Sequence, residues 1–144
     1  MYVDAQLLFS DAQAVTAAAA STNVVDLGIA RDIGTGENMY IVVVCDVAMT
    51  DAGSDSTLDV ILQGDSTESF TPDGARTLFQ FAAASAAGTA KFARLDPGSE
   101  PLQYQYIRLY YSPNNGDLST GSFTAFITND IEKYTAYADG YTIS

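Results

Sequence analysis

Residues 103–128 read QYQYIRLYYSPNNGDLSTGSFTAFIT, and they carry the strongest structural signal in the chain. The two outer runs are rich in Tyr, Ile, Phe and Thr, which suit a pleated and half-buried surface. The cluster Pro113-Asn114-Asn115-Gly116 between them supplies the positive φ angles that a chain reversal needs. The segment therefore predicts a long β-hairpin and places the end of the chain's body in antiparallel sheet.

Strand signals recur at short intervals upstream of this segment. Residues 39–47 are almost continuously apolar and β-branched, which predicts a central strand buried on both faces. Within residues 57–64, Leu58, Val60 and Leu62 share one face, as in a half-buried strand. Residues 13–28 mix helix and strand signals but favour extended chain, and further strands are predicted at residues 3–9, 76–81 and 89–95.

About eight short strands without a long amphipathic helix predict an all-β fold, a jelly-roll-like antiparallel β-sandwich with extended or short-helical terminal arms. A chain of 144 residues is long enough for one such core. We therefore expect one domain over residues 1–128, including an N-terminal arm, and a C-terminal arm over residues 129–144. Tyr134, Tyr137 and Tyr141 are spaced to share one face of a short helix or to dock singly from an extended arm.

The charge and the apolar pattern argue against two classes of partner. The chain has 18 Asp plus Glu against 6 Lys plus Arg, a net charge of −12. It has no basic stripe that could displace counterions from phosphate, so direct nucleic-acid binding is not expected. The longest apolar run, residues 39–45, is far shorter than the roughly 20 residues of a membrane-spanning helix, and the N-terminus lacks a basic signal-peptide region. Neither secretion nor a membrane association is therefore predicted.

Catalytic side chains are scarce. The chain has no His, which excludes Ser-His-Asp and Cys-His catalytic sets and His-based zinc sites. Its single cysteine, Cys45, lies in the apolar run and is interpreted as a buried core thiol, so no intramolecular disulfide is possible. Gly34-Thr35-Gly36 lacks the third glycine of a dinucleotide-binding motif and is interpreted as a turn. We expect a protein that is not an enzyme and binds no cofactor.

Carboxylates are the remaining candidates for metal binding or catalysis. One group recurs at intervals of four and the next follows in the adjoining loop: Asp51, Asp55 and Asp59, then Asp65, Glu68 and Asp73. Clustered oxygen ligands could form a weak calcium site, but the spacing matches no established calcium loop. Solvated turn residues are the favoured interpretation, and no metal site is predicted.

Several patches, taken together and in order, resemble the Bbp16-type capsid cement (decoration) proteins of tailed bacteriophages. They are YVDAQLLFSDAQAV at residues 2–15, DLG at 26–28, DIGTGE at 32–37, YIRLYY at 106–111, GSFTAFIT at 121–128 and ADGY at 138–141. These patches frame most of the chain. Residues 51–100 are similar only in general character.

The resemblance implies a structural role in the virion. It implies a jelly-roll subunit that binds the outer surface of the phage head and bridges neighbouring major capsid protein subunits, which stabilises the shell. The implied partners are the major capsid protein and further copies of the chain, which would form a dimer or trimer. The protein would be made in the cytoplasm of the bacterial host and carried on the outer surface of the capsid. The candidate partner-binding residues are the apolar and aromatic side chains near both ends: Tyr2, Leu7, Phe9, Tyr134, Tyr137 and Tyr141.

The residues are also compatible with two other classes of function. A carbohydrate- or receptor-binding β-sandwich could use a tyrosine platform, although strand alternation sends Tyr104, Tyr106 and Tyr110 to one face and Tyr111 to the other. A carboxylate-dependent hydrolase would need a pair of loop acids. The absence of Trp disfavours a sugar site built on stacked rings.

Overall fold

The protein is an all-β structure of two antiparallel sheets. The structure, a computed structural model, describes residues 5–28, 39–83, 85–95 and 99–129. Two short 3-10 helices lie at Ala5–Leu7 and Glu100–Gln103. The strands are β1 (Leu8–Ala14), β2 (Ala19–Ala20), β3 (Val25–Asp26), β4 (Tyr40–Thr50), β5 (Thr57–Asp65), β6 (Gly74–Ala82), β7 (Ala90–Arg94), β8 (Tyr106–Asn114) and β9 (Thr120–Thr128).

The strands divide between two sheets. Sheet A has the order β1-β9-β4-β7, and sheet B has the order β2-β8-β5-β6, with β3 also paired to β8. The short strands β2 and β3 pair with the same partner, since Ala19 lies opposite Tyr111 and Val25 lies opposite Ile107. They are therefore two halves of one interrupted edge strand. Residues 13–28 are extended here, as the sequence predicted.

The connections identify the topology. With β2 and β3 taken as one strand, every connection passes from one sheet to the other except that between β5 and β6, which are neighbours in sheet B. Two four-stranded sheets interleaved in this way form a jelly roll. The predicted jelly-roll-like β-sandwich is confirmed. The C-terminal arm predicted for residues 129–144 lies outside the described residues, apart from Asn129.

The long hairpin predicted for residues 103–128 is wrong. The chain does reverse at the predicted cluster, where Asn115 and Gly116 have φ angles of 63° and 112°. However, β8 pairs with strands of sheet B and β9 pairs with β1 and β4 of sheet A. The connection crosses between the sheets, and Leu118, only 4% exposed, closes the core beneath it. Each strand buries an apolar face more completely against two long neighbours than it could in an isolated hairpin.

The core fills the space between the sheets. In sheet A it takes alternate residues of β4 and β9, and in sheet B it takes Leu58, Val60 and Leu62, which are all 0% exposed. Its centre is aromatic, with the ring of Phe123 lying 5.3 Å from Phe81 and 5.8 Å from Tyr111. Cys45 is also 0% exposed, which confirms its interpretation as a core thiol.

Two facing glycines seat the second 3-10 helix on sheet B. Gly64 of β5 lies opposite Gly74 of β6. A Cβ atom on Gly64 would lie 2.3 Å from the carbonyl oxygen of Pro101, and one on Gly74 would lie 2.9 Å from Cγ of Glu100. The helix backbone can therefore approach the sheet only because these side chains are absent. This close seating buries Leu102, which is 1% exposed.

Candidate interaction surfaces

The predicted partner-binding residues separate into three groups. Phe9 is 0% exposed and belongs to the inter-sheet core, so its ring cannot contact a partner and its predicted role is corrected. Leu7, in the first 3-10 helix, is half-buried and packs against the same core. The four tyrosines Tyr2, Tyr134, Tyr137 and Tyr141 lie outside the described residues.

An apolar row crosses the outer face of sheet A, away from sheet B. The strand register aligns Leu8 with Phe126, Phe126 with Val42, and Val42 with Phe92. We call these four residues the outer row. Val42 and Phe126 are 1% and 2% exposed, although neither belongs to the inter-sheet core. The prediction that β4 is buried on both faces is thus confirmed around Val42.

The outer row ends in an exposed aromatic ring. Phe92 of the edge strand β7 is 57% exposed, and its ring meets that of Tyr40 edge-on at a centroid distance of 6.1 Å. Val47 of β4 is 49% exposed, and these two are the large apolar side chains that the described residues expose most. Both belong to sheet A. Singly exposed apolar residues are common, but an aromatic pair at the open edge of a sheet is a candidate contact surface.

The neighbouring Lys91 protects this edge from unselective strand pairing. Lys91 lies opposite the core residue Val43, so its side chain is directed inward from β7. Its Nζ donates a hydrogen bond to the carbonyl oxygen of Gln80 and lies 5.3 Å from the ring centroid of Phe81. An inward lysine on a short edge strand disfavours addition of a further strand. The edge therefore offers its outer side chains to a partner more readily than its backbone.

The outer face of sheet B carries the tyrosines considered for a binding platform. Tyr106 and Tyr110 are half-buried there, on either side of Arg108. Arg108 is held by stacking on Phe70, 4.2 Å from the ring centroid, and its Nε donates to Oε1 of Gln63 at 2.9 Å. These contacts hold the loop between β5 and β6 against the sheet.

Tyr111 is part of the core and not of that platform. It is 0% exposed, and its hydroxyl lies 2.9 Å from Oγ of Ser10, which itself donates to Oε1 of Gln13. Since Ser10 uses its proton on Gln13, Tyr111 is the donor in the shared bond. The prediction that alternation sends Tyr111 to the opposite face from Tyr106 and Tyr110 is confirmed.

Alkaline pH is expected to destabilise the protein through Tyr111. Burial raises the pKa of Tyr111 to about 12, whereas the phenol in the unfolded chain titrates near pH 10. The stability that the neutral phenol contributes is present below pH 10 and is lost as the pH rises towards 12, by about 2–3 kcal/mol. Urea unfolding at pH 9 to 12 measures this loss. Tyr111→Phe should flatten that part of the profile, and an unchanged slope in this variant would contradict the assignment.

The carboxylates considered for a metal site serve turns and strand pairs. Oδ2 of Asp51 accepts from the backbone N–H of Ser56 at 3.1 Å, and hydrogen bonding to Ser56 lowers the pKa of the Asp51 carboxyl. Oδ1 of Asp59 accepts from Gln80 across the strands at 2.6 Å. Within residues 5–28, 39–83, 85–95 and 99–129, no three acidic or cysteine side chains are placed to hold a metal ion. The interpretation as a turn residue fits Asp51, whereas Asp59 lies within β5.

Asp65 is the one buried member of this acidic group, at 2% exposed. Burial acts to raise the pKa of its carboxyl, but hydrogen bonds led by the backbone N–H of Thr67, at 2.9 Å, hold the pKa below its usual value. Asp65 thus remains charged and fixes the loop that follows β5.

Burial, with the nearby carboxylates of Asp73, Glu100 and Asp65, raises the pKa of the Tyr104 phenol.

A shallow polar cleft lies beside the first 3-10 helix. It has a volume of about 680 Å³ and is lined by residues of the first 3-10 helix, β1, β3 with the segment before it, and the loop between β5 and β6. Among them are Gln6, Thr22, Asn23, Asp26 and Glu68. The side-chain amide of Asn23 donates to the carbonyl oxygen of Leu8 at 3.1 Å, which closes one wall of the cleft.

In the described part of the chain, no helix is long and apolar enough to cross a bilayer.

Phe92 was not among the candidate contact residues predicted from the sequence. Its strand was predicted, but only the pairing of β7 with β4 shows that the ring extends the outer row. The apolar run at residues 39–47 was the available signal for an apolar surface on the outer face of this sheet. In a two-sheet fold, a strand buried on both faces must also be covered on the side that faces away from the other sheet.

Comparison with known proteins identifies the family. A search of curated proteins finds no match to the chain. A family model described as Bbp16 matches residues 9–127, which span the whole sandwich from β1 to β9. The family is phage-related, so the chain is a phage-associated protein. Because the family model matches nearly the whole jelly roll, the chain belongs to the Bbp16 family.

Proposed function

We propose that the protein is a capsid cement (decoration) protein that binds the outer surface of a phage head. In this role it bridges neighbouring major capsid protein subunits and stabilises the shell. The observation that carries the proposal is the exposed ring of Phe92, packed edge-on against the half-buried Tyr40 on sheet A, in a member of a phage-related family.

The physical demands of such a role match this scaffold. A bridging protein needs contact area and a rigid frame, and its many modest contacts are multiplied by the symmetry of the shell. A jelly roll with a fully packed aromatic core supplies the frame. The aromatic pair at the edge of sheet A supplies a rigid anchor with little side-chain entropy to lose on binding.

The proposed role also defines the binding partners and the location of the protein. The major capsid protein is the primary partner, and copies of the chain associate with one another as a dimer or trimer across capsomer junctions. The protein acts at the outer surface of the virion without catalysis, cofactor, nucleic-acid contact or membrane. The terminal residues Tyr2, Tyr134, Tyr137 and Tyr141 are proposed as further anchors beside Phe92.

Phe92→Ser should weaken attachment to the shell without affecting folding. The side chain is more than half exposed, so its removal should lower the free energy of unfolding by no more than about 1 kcal/mol, the scale of its contact with Tyr40. An anchor ring of this kind is expected to contribute about 1–2 kcal/mol to binding, a tenfold or greater loss of affinity. Co-sedimentation of the purified protein with capsids that lack it measures the effect.

Thr77→Ser, an exposed position on sheet B, is the matched control and should bind as the wild type does. Saturable binding in proportion to the capsid subunits, together with a higher temperature of capsid disruption, supports the proposal. A wild-type protein that stays in the supernatant at all ratios would reject it.

A second candidate function rests on the outer face of sheet B. Tyr106 and Tyr110, on either side of the stacked Arg108, could hold a sugar ring or a receptor loop. A glycan-binding assay on the isolated protein tests this. Saturable binding that is lost in Tyr110→Ala would favour a carbohydrate- or receptor-binding module over the capsid role.

A further inference from the structure

The edge strand β7 presents a cation beside its exposed ring. Phe92 and Arg94 are two residues apart, so both side chains leave the outer face of sheet A. The register agrees, since Phe92 lies opposite Val42 and Arg94 lies opposite Tyr40. Arg94 is exposed, as Phe92 is. One short stretch of the edge therefore offers solvent an aromatic ring and a guanidinium group, on Cα atoms about 7 Å apart.

Arg94 differs from the other basic residues that the structure describes. Lys91 and Arg108 donate hydrogen bonds and lie over aromatic rings, and Arg76 is also engaged. Within the described ranges of the chain, Arg94 makes no hydrogen bond, ion pair or ring contact. This is notable because the chain offers 18 acidic residues for 6 basic ones. The guanidinium group of Arg94 is therefore available to a carboxylate from outside the chain.

Charge is also separated along the outer face of sheet A. The strands of this sheet contain two basic residues, and Lys91 is directed inward, so Arg94 is their outward cation. Asp46 of β4 lies six residues beyond Tyr40, about 20 Å along an extended strand, and accepts from Oγ1 of Thr124 at 2.6 Å. Among the residues of these strands, the end of the face beside Arg94 is thus positive.

We propose that this edge recognises an acidic side chain beside an apolar one on the major capsid protein. Phe92 is the apolar anchor, and Arg94 pairs with the carboxylate. The inference rests on the proposed capsid role and specifies the chemistry of the partner. One cation in a chain with a net charge of −12 does not suit a nucleic acid, whereas the planar fork of an arginine matches a single carboxylate.

The overall charge of the protein makes Arg94 selective for orientation. A partner with an acidic contact region is repelled by most of this surface and attracted at the Arg94 end of sheet A. The adjacent ring of Phe92 excludes water from the pair, which strengthens a charge-assisted hydrogen bond. The apolar contact supplies area, and the ion pair decides which way the sandwich is turned on the shell.

Charge substitutions at position 94 test the proposal by co-sedimentation with capsids that lack the protein. Arg94→Gln should weaken attachment about tenfold, and Arg94→Glu should weaken it further because two carboxylates would then meet. Arg94→Lys keeps the charge without the fork, so its attachment should lie between those of Arg94→Gln and the wild type. Thr77→Glu, on sheet B, changes the net charge as Arg94→Gln does and should bind as the wild type does. Far-ultraviolet circular dichroism checks that each variant is folded.

Two further readouts separate an ion pair from a merely structural effect. Between about 50 and 500 mM NaCl, attachment of the wild type should weaken more steeply than that of Arg94→Gln, because salt screens the pair. Carbodiimide treatment of capsids that carry Arg94→Lys should join the introduced amine to an Asp or Glu of the major capsid protein. Mass spectrometry of the digested particles identifies that residue, and Arg94→Gln is the control without an amine.

The outcomes distinguish this inference from the capsid role itself. If the wild type binds capsids and Arg94→Glu binds equally well with an unchanged salt profile, the ion pair is rejected and the capsid role stands. Cross-linking of the introduced amine only to another copy of this chain would assign Arg94 to self-association and would also overturn the proposal. A wild-type protein that binds no capsid would reject the capsid role and this inference together.

Discussion

Gly64→Ala is expected to lower the free energy of unfolding by about 3 kcal/mol, at the upper end of the usual cost of overpacking. The new Cβ would lie 2.3 Å from the carbonyl oxygen of Pro101, which is backbone and cannot rotate away. The 3-10 helix at Glu100–Gln103 must then lift from sheet B, which exposes part of Leu102 and opens the space beneath it. Urea unfolding followed by circular dichroism measures the loss.

Gly53→Ala is the matched control for this substitution. A Cβ at Gly53 would lie 2.7 Å from Oδ1 of Asp55 and 3.5 Å from Oδ2 of Asp51, in an exposed turn where the Asp55 side chain can move aside. Its stability should stay within about 0.5 kcal/mol of the wild type. If Gly64→Ala were equally harmless, the close seating of the 3-10 helix would not be a requirement of the fold.

Deletion of residues 129–144 is expected to reduce attachment to capsids by tenfold or more, while the sandwich remains folded. The deletion removes three of the proposed tyrosine anchors and leaves all nine described strands in place. The core between the sheets is untouched by the deletion. Co-sedimentation with capsids gives the attachment, and far-ultraviolet circular dichroism gives the fold.

The variant with Tyr134, Tyr137 and Tyr141 changed to Phe separates packing from hydrogen bonding in this segment. It should retain most of the attachment if the rings supply the contact area. Undiminished attachment of the truncated protein would reject the C-terminal arm as a capsid anchor and would leave the Phe92 edge as the proposed site.

Much of the architecture could be predicted from local patterns. Alternation placed Leu58, Val60 and Leu62 on one buried face of β5, and continuous apolarity identified β4 as a strand covered on both sides. Both signals depend only on which side chains must leave water. The number of strands and the lack of long helices then restricted the fold to a sandwich or jelly roll.

The pairing of the strands could not be predicted in the same way. The segment from Tyr106 to Thr128 has the composition of a hairpin, yet its halves belong to different sheets. A turn signal at Asn115 and Gly116 fixes a reversal but not whether the chain returns to the same sheet. That choice depends on long-range burial against β4 and β5, which local sequence does not encode.

The same limit applied to the candidate contact residues. Phe9 and Phe92 both occur in segments predicted as strands, but one is in the core and the other is largely exposed. Only the register places Phe92 at the open end of the outer row. Side-chain type predicted that aromatic anchors exist, whereas topology decided which of them reach the surface.

The most direct test of the capsid role is a density gradient of native phage particles, with mass spectrometry of every fraction. The proposed function predicts that this chain sediments with intact heads, beside the major capsid protein, in hundreds of copies per particle, an order of magnitude set by icosahedral symmetry. Recovery of the chain only as a small free oligomer at the top of the gradient, with heads that lack it, would contradict the account.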